Sequence, residues 1–141
     1  MSKVNMVSYR ASRLRKDGLE DIRKEGKFYE YLFVSWGIIE LEADQSILKA
    51  YGLSSLNPRA QPLLDLGVTK RLEVFRKTGF LSIEGYNTVL KFIRKRNYLF
   101  HKGSLFIRTL SDNEKEEIMD IALLAVDVLY NLSETINISV V

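Results

Sequence analysis

The chain has 141 residues, with 46% hydrophobic and 28% charged side chains, a balance typical of one folded domain with its own core. Its 21 basic and 18 acidic residues leave a net charge of only +3, so total charge does not by itself identify a nucleic-acid-binding protein. The absence of cysteine excludes disulfides, thiolate nucleophiles and zinc–thiolate sites, and it fits a reducing cytoplasm.

No segment of the sequence has the character of a membrane anchor or a signal peptide. Residues 1–14 are polar and basic, without the apolar run of a signal peptide. The most apolar stretch, residues 118–132, is too short to span a bilayer and is interrupted by Asp120 and Asp127. We therefore expect a cytoplasmic protein that does not contact a membrane.

Helical periodicity organises the first half of the chain. Residues 1–26 mix basic and acidic side chains without a strong apolar stripe, which predicts a basic N-terminal arm or short helix. Residues 27–51 repeat apolar side chains at steps of three and four and predict a long helix that ends at Gly52. Both prolines lie in the connection 53–62, and a second helix is predicted over 63–78.

Two further helices are predicted in the second half. The third begins near Ser82, a favourable N-cap, and runs to about Phe100 or just beyond. The fourth begins after Ser111, where Ser111 and Glu114 form a capping-box pattern, and it ends near Ile136.

These elements predict an all-α protein, an up-and-down antiparallel bundle of four main helices with a basic N-terminal helix or arm. The bundle covers residues 27–136, and residues 137–141 form a short tail. Trp36 and the aromatic residues near it are expected in the core rather than in a platform for stacking bases. No window alternates strictly enough to predict a sheet.

The third predicted helix carries the residues that point to chemistry. Arg96, Asn97 and His101 occur in the segment Arg-Asn-Tyr-Leu-Phe-His, and His101 is the only histidine of the chain. Histidine exchanges protons near neutral pH, and the planar guanidinium of arginine suits phosphate oxygens. The pattern therefore predicts acid–base chemistry on a phosphodiester, with these residues as the catalytic group.

Helical geometry sets a condition on such a site. Arg96 falls on the apolar stripe of the third helix, so it must pair, extend to solvent or face a wet cleft. Asn97 lies one turn before His101 and can orient its imidazole. On a regular helix Arg96 is about 140° from His101. The two groups meet only if the helix breaks near Phe100 or if another surface, such as a second subunit, completes the cleft.

A local positive field surrounds the motif. Arg94, Lys95 and Lys102 lie beside it with no acidic residue among them, and Arg108 extends the same basic track. Local fields of this kind attract polyanions. We predict that these four residues bind a nucleic-acid backbone.

Other interpretations of these residues stay open. Arg96 can instead extend to a carboxylate such as Glu40 or Glu42, with His101 only capping a helix end. Glu40, Glu42 and Asp44 resemble a metal site loosely, and a solvated acidic face is the simpler interpretation. The second and third helices also imitate a helix-turn-helix, but its recognition helix would place several apolar side chains in a wet groove.

The segment from Arg96 to His101 resembles the signature of the HEPN superfamily (higher eukaryotes and prokaryotes nucleotide-binding). That signature is an arginine, then a polar residue, with a histidine separated from the arginine by four to six positions. In this chain four positions separate Arg96 from His101, and Asn97 is the polar residue. The resemblance covers the motif and the helical plan. It implies a small helical bundle that forms a homodimer and acts as a metal-independent RNA endonuclease in toxin–antitoxin or defence systems.

The resemblance also implies roles for the motif residues. The ribose 2′-hydroxyl attacks the adjacent phosphorus, His101 is general acid or base, Arg96 stabilises charge on the phosphate, and Asn97 orients His101 or a phosphate oxygen. An antitoxin or other neutralising protein is an implied partner beside the RNA. One branch of the family has a tyrosine two positions after the histidine that its antitoxin modifies; Gly103 stands there in this chain, so that modification is not expected. A non-catalytic DNA-binding regulator and a helical dimerisation or interaction module remain the alternatives.

Overall fold

A computed structural model describes the backbone of residues 18–140 and the side chains of residues 18–136. Every regular element in this part of the chain is a helix, which confirms the all-α prediction. The helices are α1 (18–24), α2 (Phe28–Ala50), α3 (Ala60–Leu64), α4 (Val68–Lys77), α5 (Ile83–Lys102), α6 (Ser104–Arg108) and α7 (Asp112–Val140). Most of the arm predicted over residues 1–26 lies outside the described residues.

The long helices α2, α5 and α7 supply most of the core. The last of them packs against both of the others, and buried side chains from all of them meet, among them Ile39 of α2, Phe92 of α5 and Leu129 of α7. Burying one such side chain contributes about 1.5–3 kcal/mol of transfer free energy. No helix in the described part is both long and apolar enough to cross a membrane.

Side-chain caps fix where two of these helices begin. The Gly85 N–H donates to Ser82 Oγ at 3.0 Å, so α5 begins where its cap predicts. At the start of α7, the Glu114 N–H donates to Ser111 Oγ at 3.1 Å and the Ser111 N–H donates to a Glu114 carboxylate oxygen at 3.2 Å. This reciprocal arrangement is the predicted capping box.

The prediction of one continuous second helix over residues 63–78 is wrong. The chain forms α3 and α4 instead, and Gly67 separates them in an extended conformation, with φ −64° and ψ 158°. Glycine is a poor helix former, which favours a break there. Pro62 lies inside α3, and it is tolerated because the first turn of a helix has no use for its missing N–H.

The other differences lie towards the C-terminus. The short helix α6, which the sequence pattern did not predict, follows α5 directly. Helix α7 continues to Val140, so the helix end predicted near Ile136 is too early and the predicted tail is helical as far as Val140. Val141 lies outside the described residues.

Candidate functional site

Helix α5 carries Arg96, Asn97 and His101 in its last two turns and continues one residue past the histidine. Gly103, with φ 89°, ends the helix, and α6 begins at once. The helix therefore does not break near Phe100. Arg96 and His101 lie about 140° apart around one regular helix, so a single subunit does not present them on one face of α5.

Arg96 lies on the packed side of α5. Its guanidinium carbon is 4.2 Å from the ring centroid of Trp36 and 4.7 Å from that of Phe100. A guanidinium between aromatic rings gains cation–π attraction that strengthens as water is removed. Burial lowers the pKa of Arg96 from its usual value, and the negative charge of Glu40 acts in the opposite direction. The group stays a cation at neutral pH.

The charge of Arg96 is not neutralised by a direct partner. It forms no salt bridge within the part of the chain that the structure describes. Its Nε is buried without a hydrogen-bond partner, and its Nη1 reaches Asn97 Oδ1 only at 3.5 Å, the outer limit of a hydrogen bond. Arg96 therefore forms no salt bridge with Glu40 or Glu42, although the negative charge of Glu40 acts on it.

His101 and Asn97 are exposed, one helical turn apart on the same side of α5. His101 also lies seven residues after Arg94, nearly two full turns, so these two share a stripe of the helix surface. No hydrogen bond or ion pair to the His101 imidazole occurs among residues 18–136. The imidazole is accessible and stands at the edge of the basic side of α5.

The exposed side of α5 faces a shallow groove next to α7, which we call the α5–α7 groove. It has a volume of about 450 Å³ and is lined by Lys91, Arg94, Lys95, Tyr98 and Ile121. Lys102 lies one turn beyond Tyr98, with its Nζ 5.7 Å from the tyrosine ring centroid. Arg94, Lys95 and Lys102, which the sequence predicts as backbone-binding residues, are thus grouped around this groove.

Arg108 lies apart from the other predicted binding residues. It is exposed at the C-terminal end of α6 and lines a different groove, of about 370 Å³, together with Lys27, Glu30 and Lys115. The basic track predicted from Arg94 to Arg108 is therefore divided between two grooves.

The acidic residues of α2 do not form a shared solvated face. Glu40 is exposed, Glu42 is only 4% exposed, and Asp44 forms a salt bridge with Arg71 of α4, which is itself 5% exposed. The expectation of a solvated face is wrong for Glu42. Among the described residues these carboxylates do not form a group able to hold a metal ion. The sequence did indicate that Arg71 is buried, because this residue lies on the apolar stripe of α4 next to Leu72.

Trp36 has a contact that the sequence prediction missed. It is half-buried, packs on Phe92 at a centroid distance of 6.5 Å and covers the guanidinium of Arg96. Its aromatic neighbour Phe33 is exposed rather than in the core. Nothing local in the sequence indicates which helix faces Trp36, so this contact depended on knowing how α2 and α5 pack.

An apolar stripe on α2 runs alongside the motif. Tyr29, Phe33 and Trp36 follow one another at helical spacing. The Tyr29 hydroxyl donates to the Ser104 carbonyl at 3.3 Å, and Trp36 covers the Arg96 guanidinium. These two contacts hold the stripe beside the C-terminal end of α5 and the start of α6, with Phe33 between them.

Exposed apolar side chains on α5 and α6 extend this stripe. Phe33 is 73% exposed, Leu105 is 76% exposed, and Phe100, which contacts Arg96, is 42% exposed. We call Tyr29, Phe33, Phe100 and Leu105 the apolar face. Exposed apolar clusters of this kind on a protein surface are typical of interaction sites.

The structure removes part of the objection to the helix-turn-helix interpretation. Helices α4 and α5 follow each other across a short turn, and Phe92, Ile93 and Leu99 are buried in the core of the same chain. The apolar side chains of α5 that counted against this interpretation therefore do not all reach solvent.

Comparison of the chain with protein-family models, with curated proteins and with solved structures found no match. The structure defines an all-α protein whose longest helices meet around one core. Because one fold supports many functions, function must be inferred from the placement and chemistry of the site residues.

Proposed function

We propose that this chain is a metal-independent RNA endonuclease of the HEPN type that acts as a homodimer. The observation that carries the proposal is the state of the two motif side chains. The His101 side chain is exposed and has no partner among the described residues, and the Arg96 guanidinium forms no salt bridge in that part of the chain. A free proton-transfer group and a cation that is not held in an ion pair are the groups that this reaction needs.

The proposed reaction uses the RNA as its own nucleophile. A general base removes the proton of the ribose 2′-hydroxyl, whose oxygen attacks the adjacent phosphorus while a general acid protonates the departing 5′-oxygen. His101 performs one of these proton transfers, and Arg96 stabilises the negative charge that builds up on the phosphate. Asn97 orients His101 or a phosphate oxygen. The products carry a 2′,3′-cyclic phosphate and a 5′-hydroxyl.

A second copy of the chain is needed to complete this site. Within one subunit, Arg96 and His101 lie about 140° apart on α5. The apolar face borders Arg96 through Phe100, and burying it against the same face of a twofold-related subunit places two copies of the motif at one interface. The exposed apolar side chains supply the driving force for this association.

The proposal includes a biological setting. An RNA endonuclease that cleaves without a cofactor is harmful to the cell that makes it, so we infer a toxin or defence protein of the cytoplasm that a neutralising protein restrains. Expression of the chain alone is expected to arrest growth, and His101→Ala to relieve the arrest. Arrest that persists with His101→Ala would contradict this role.

Cleavage of RNA in the presence of EDTA tests the activity directly. We expect the full chain to cut RNA but not DNA, which lacks the 2′-hydroxyl. His101→Ala should lower the rate by about 10²–10⁴-fold because it removes general acid–base catalysis. Lys70→Ala, a change on the exposed side of α4, is the control and should leave the rate unchanged. Cleavage that stops on chelation, or that continues unchanged in His101→Ala, would contradict the proposal.

A second candidate is a nucleic-acid-binding regulator without catalytic activity. It is favoured by the position of Arg96, which packs between Trp36 and Phe100 while the exposed side of α5 presents Arg94 and Lys102. In this case duplex DNA binds with strong salt dependence and no RNA is cut under any condition. The same cleavage assay, paired with a DNA-binding titration, separates the two candidates.

A further inference from the structure

The α5–α7 groove has an apolar floor and a basic rim. Ile121 is half-buried on the α7 side, and Tyr98 is 46% exposed on the α5 side. Lys91 and Lys95 contribute apolar side-chain stems below charged ends. A groove of this composition suits a flat, largely apolar group that carries negative charge at its edges.

The Tyr98 ring packs against one aromatic neighbour and has a cation on either side along the helix. The ring of Phe106 meets it edge-on, with centroids 5.8 Å apart and planes at 89°. The Nζ atoms of Lys95, one turn earlier, and Lys102, one turn later, each lie 5.7 Å from its centroid. An aromatic platform between two ammonium groups matches the alternation of base and phosphate along a nucleic-acid strand.

The positive charge of this groove is not cancelled by ion pairs. Within the described residues, Lys91, Arg94, Lys95 and Lys102 form no salt bridge. The groove is therefore complementary in charge to a polyanion.

The carboxylates of the neighbouring helix α7 do not cancel the positive charge of the α5–α7 groove. Asp120, next to Ile121, forms a salt bridge with Arg23 at 2.7 Å. Glu117 is exposed on α7, one turn before Ile121. With a carboxylate on α7 and the cations on α5, phosphates are directed towards α5.

We propose that the α5–α7 groove binds single-stranded RNA, with one base stacked on Tyr98 above Ile121 and the flanking phosphates bound by Lys95 and Lys102. A duplex hides its base faces, so stacking of this kind selects a single strand. An acidic peptide also suits the charges, but only a nucleic-acid strand provides a flat ring and an anionic group in every repeating unit, as the spacing of Tyr98, Lys95 and Lys102 requires. The inference rests on the proposed function only in taking RNA as the ligand.

Fluorescence anisotropy with a short labelled single-stranded RNA tests this inference. The full chain carrying His101→Ala is used in EDTA, so that the RNA stays intact during the titration. Tyr98→Ala should weaken binding by about 5- to 100-fold because it removes one stacked base, and Tyr98→Phe should retain the affinity. Tyr51→Ala, which removes another exposed tyrosine at the end of α2, is the matched control and should not change it.

Three results would overturn the inference: an unchanged affinity in Tyr98→Ala, duplex RNA that binds as tightly as the single strand, or an acidic peptide that competes equally and shows the same sensitivity to Tyr98→Ala. The inference and the proposed nuclease fail separately. If the chain binds RNA through Tyr98 but never cuts it, the proposed RNA-binding groove is supported and the proposed nuclease activity is contradicted. If the chain cuts RNA and the Tyr98→Ala variant keeps full affinity, the nuclease activity is supported and the proposed RNA-binding groove is contradicted.

Discussion

The Arg96 side chain has a structural role and, in the proposed function, a chemical one. Its stem and guanidinium fill the space between Trp36 and Phe100, which stabilises the junction of α2 and α5. At the same time, its buried Nε lacks a hydrogen-bond partner. An unsatisfied buried donor is costly, so an arginine at this position needs a compensating contact or a function.

Substitutions at Arg96 separate these two roles. Arg96→Met keeps an unbranched chain between the rings and should change the free energy of unfolding by less than about 1 kcal/mol, whereas Arg96→Ala leaves a void and should cost about 2 kcal/mol. Both should abolish RNA cleavage because the guanidinium is gone. Urea unfolding and the cleavage assay measure the two effects in parallel.

Arg76 provides a matched control for this prediction, since its guanidinium carbon also lies over an aromatic ring, 5.4 Å from the Tyr86 centroid. Arg76→Met should change stability by a similar small amount and leave cleavage unchanged. Wild-type cleavage by Arg96→Met would show that the guanidinium has only a packing role.

The sequence alone predicted some of these residue roles and not others. It showed that Arg96 falls on an apolar stripe and that Asn97 stacks below His101, because both follow from helical periodicity along one element. It did not show the contact between Trp36 and the Arg96 guanidinium or the salt bridge between Asp44 and Arg71. Those contacts join residues of different helices, so they depend on tertiary packing that periodicity does not encode.

The end of α5 is the element on which the motif depends. Gly103 has φ 89° and ψ 177°, a backbone conformation that L side chains rarely adopt. It allows α5 to stop one residue after the exposed imidazole and α6 to start immediately. The direction in which His101 points is therefore set by the last turn before a glycine.

Gly103→Ala should destabilise the protein by about 1–3 kcal/mol, because alanine is strained in this conformation. Gly67→Ala is the control, since Gly67 also precedes a helix but has an ordinary negative φ and open space around its Cβ position. It should change stability by no more than about 1 kcal/mol. Thermal unfolding of both variants measures the difference, and equal effects would show that the conformation of Gly103 imposes no such cost.

Helices with strong local signals were predicted well. α2, α5 and α7 begin within a residue or two of their predicted starts, because apolar periodicity is sustained and the Ser82 and Ser111 caps mark two of those starts. The split between α3 and α4 was missed, since a helical pattern on either side of Gly67 looks continuous. The short α6 was missed because a five-residue helix has too few positions to show a period.

At the scale of the whole molecule, the subunit presents two different surfaces on either side of the motif. The apolar face lies on one side, next to Phe100, and the basic α5–α7 groove lies on the other, with His101 near the boundary. In the proposed twofold dimer the first surface is buried and the second stays open to RNA. The proposed site, which is incomplete in one subunit, would then be completed by the second subunit.

Complementation between inactive subunits tests this central claim most directly. Arg96→Met and His101→Ala chains are refolded together and assayed for RNA cleavage in EDTA. Half of randomly formed dimers are mixed, and each mixed dimer contains one site with an intact arginine from one subunit and an intact histidine from the other. We therefore expect about a quarter of the wild-type activity to return.

The apolar face provides the control for this measurement. Phe33→Glu in both chains should prevent dimer formation and abolish the restored activity, whereas Leu56→Glu, at another highly exposed apolar residue, should do neither. Return of activity on mixing, and its loss with Phe33→Glu, is the result that the account predicts. Mixed dimers that form but remain as inactive as either parent would contradict it.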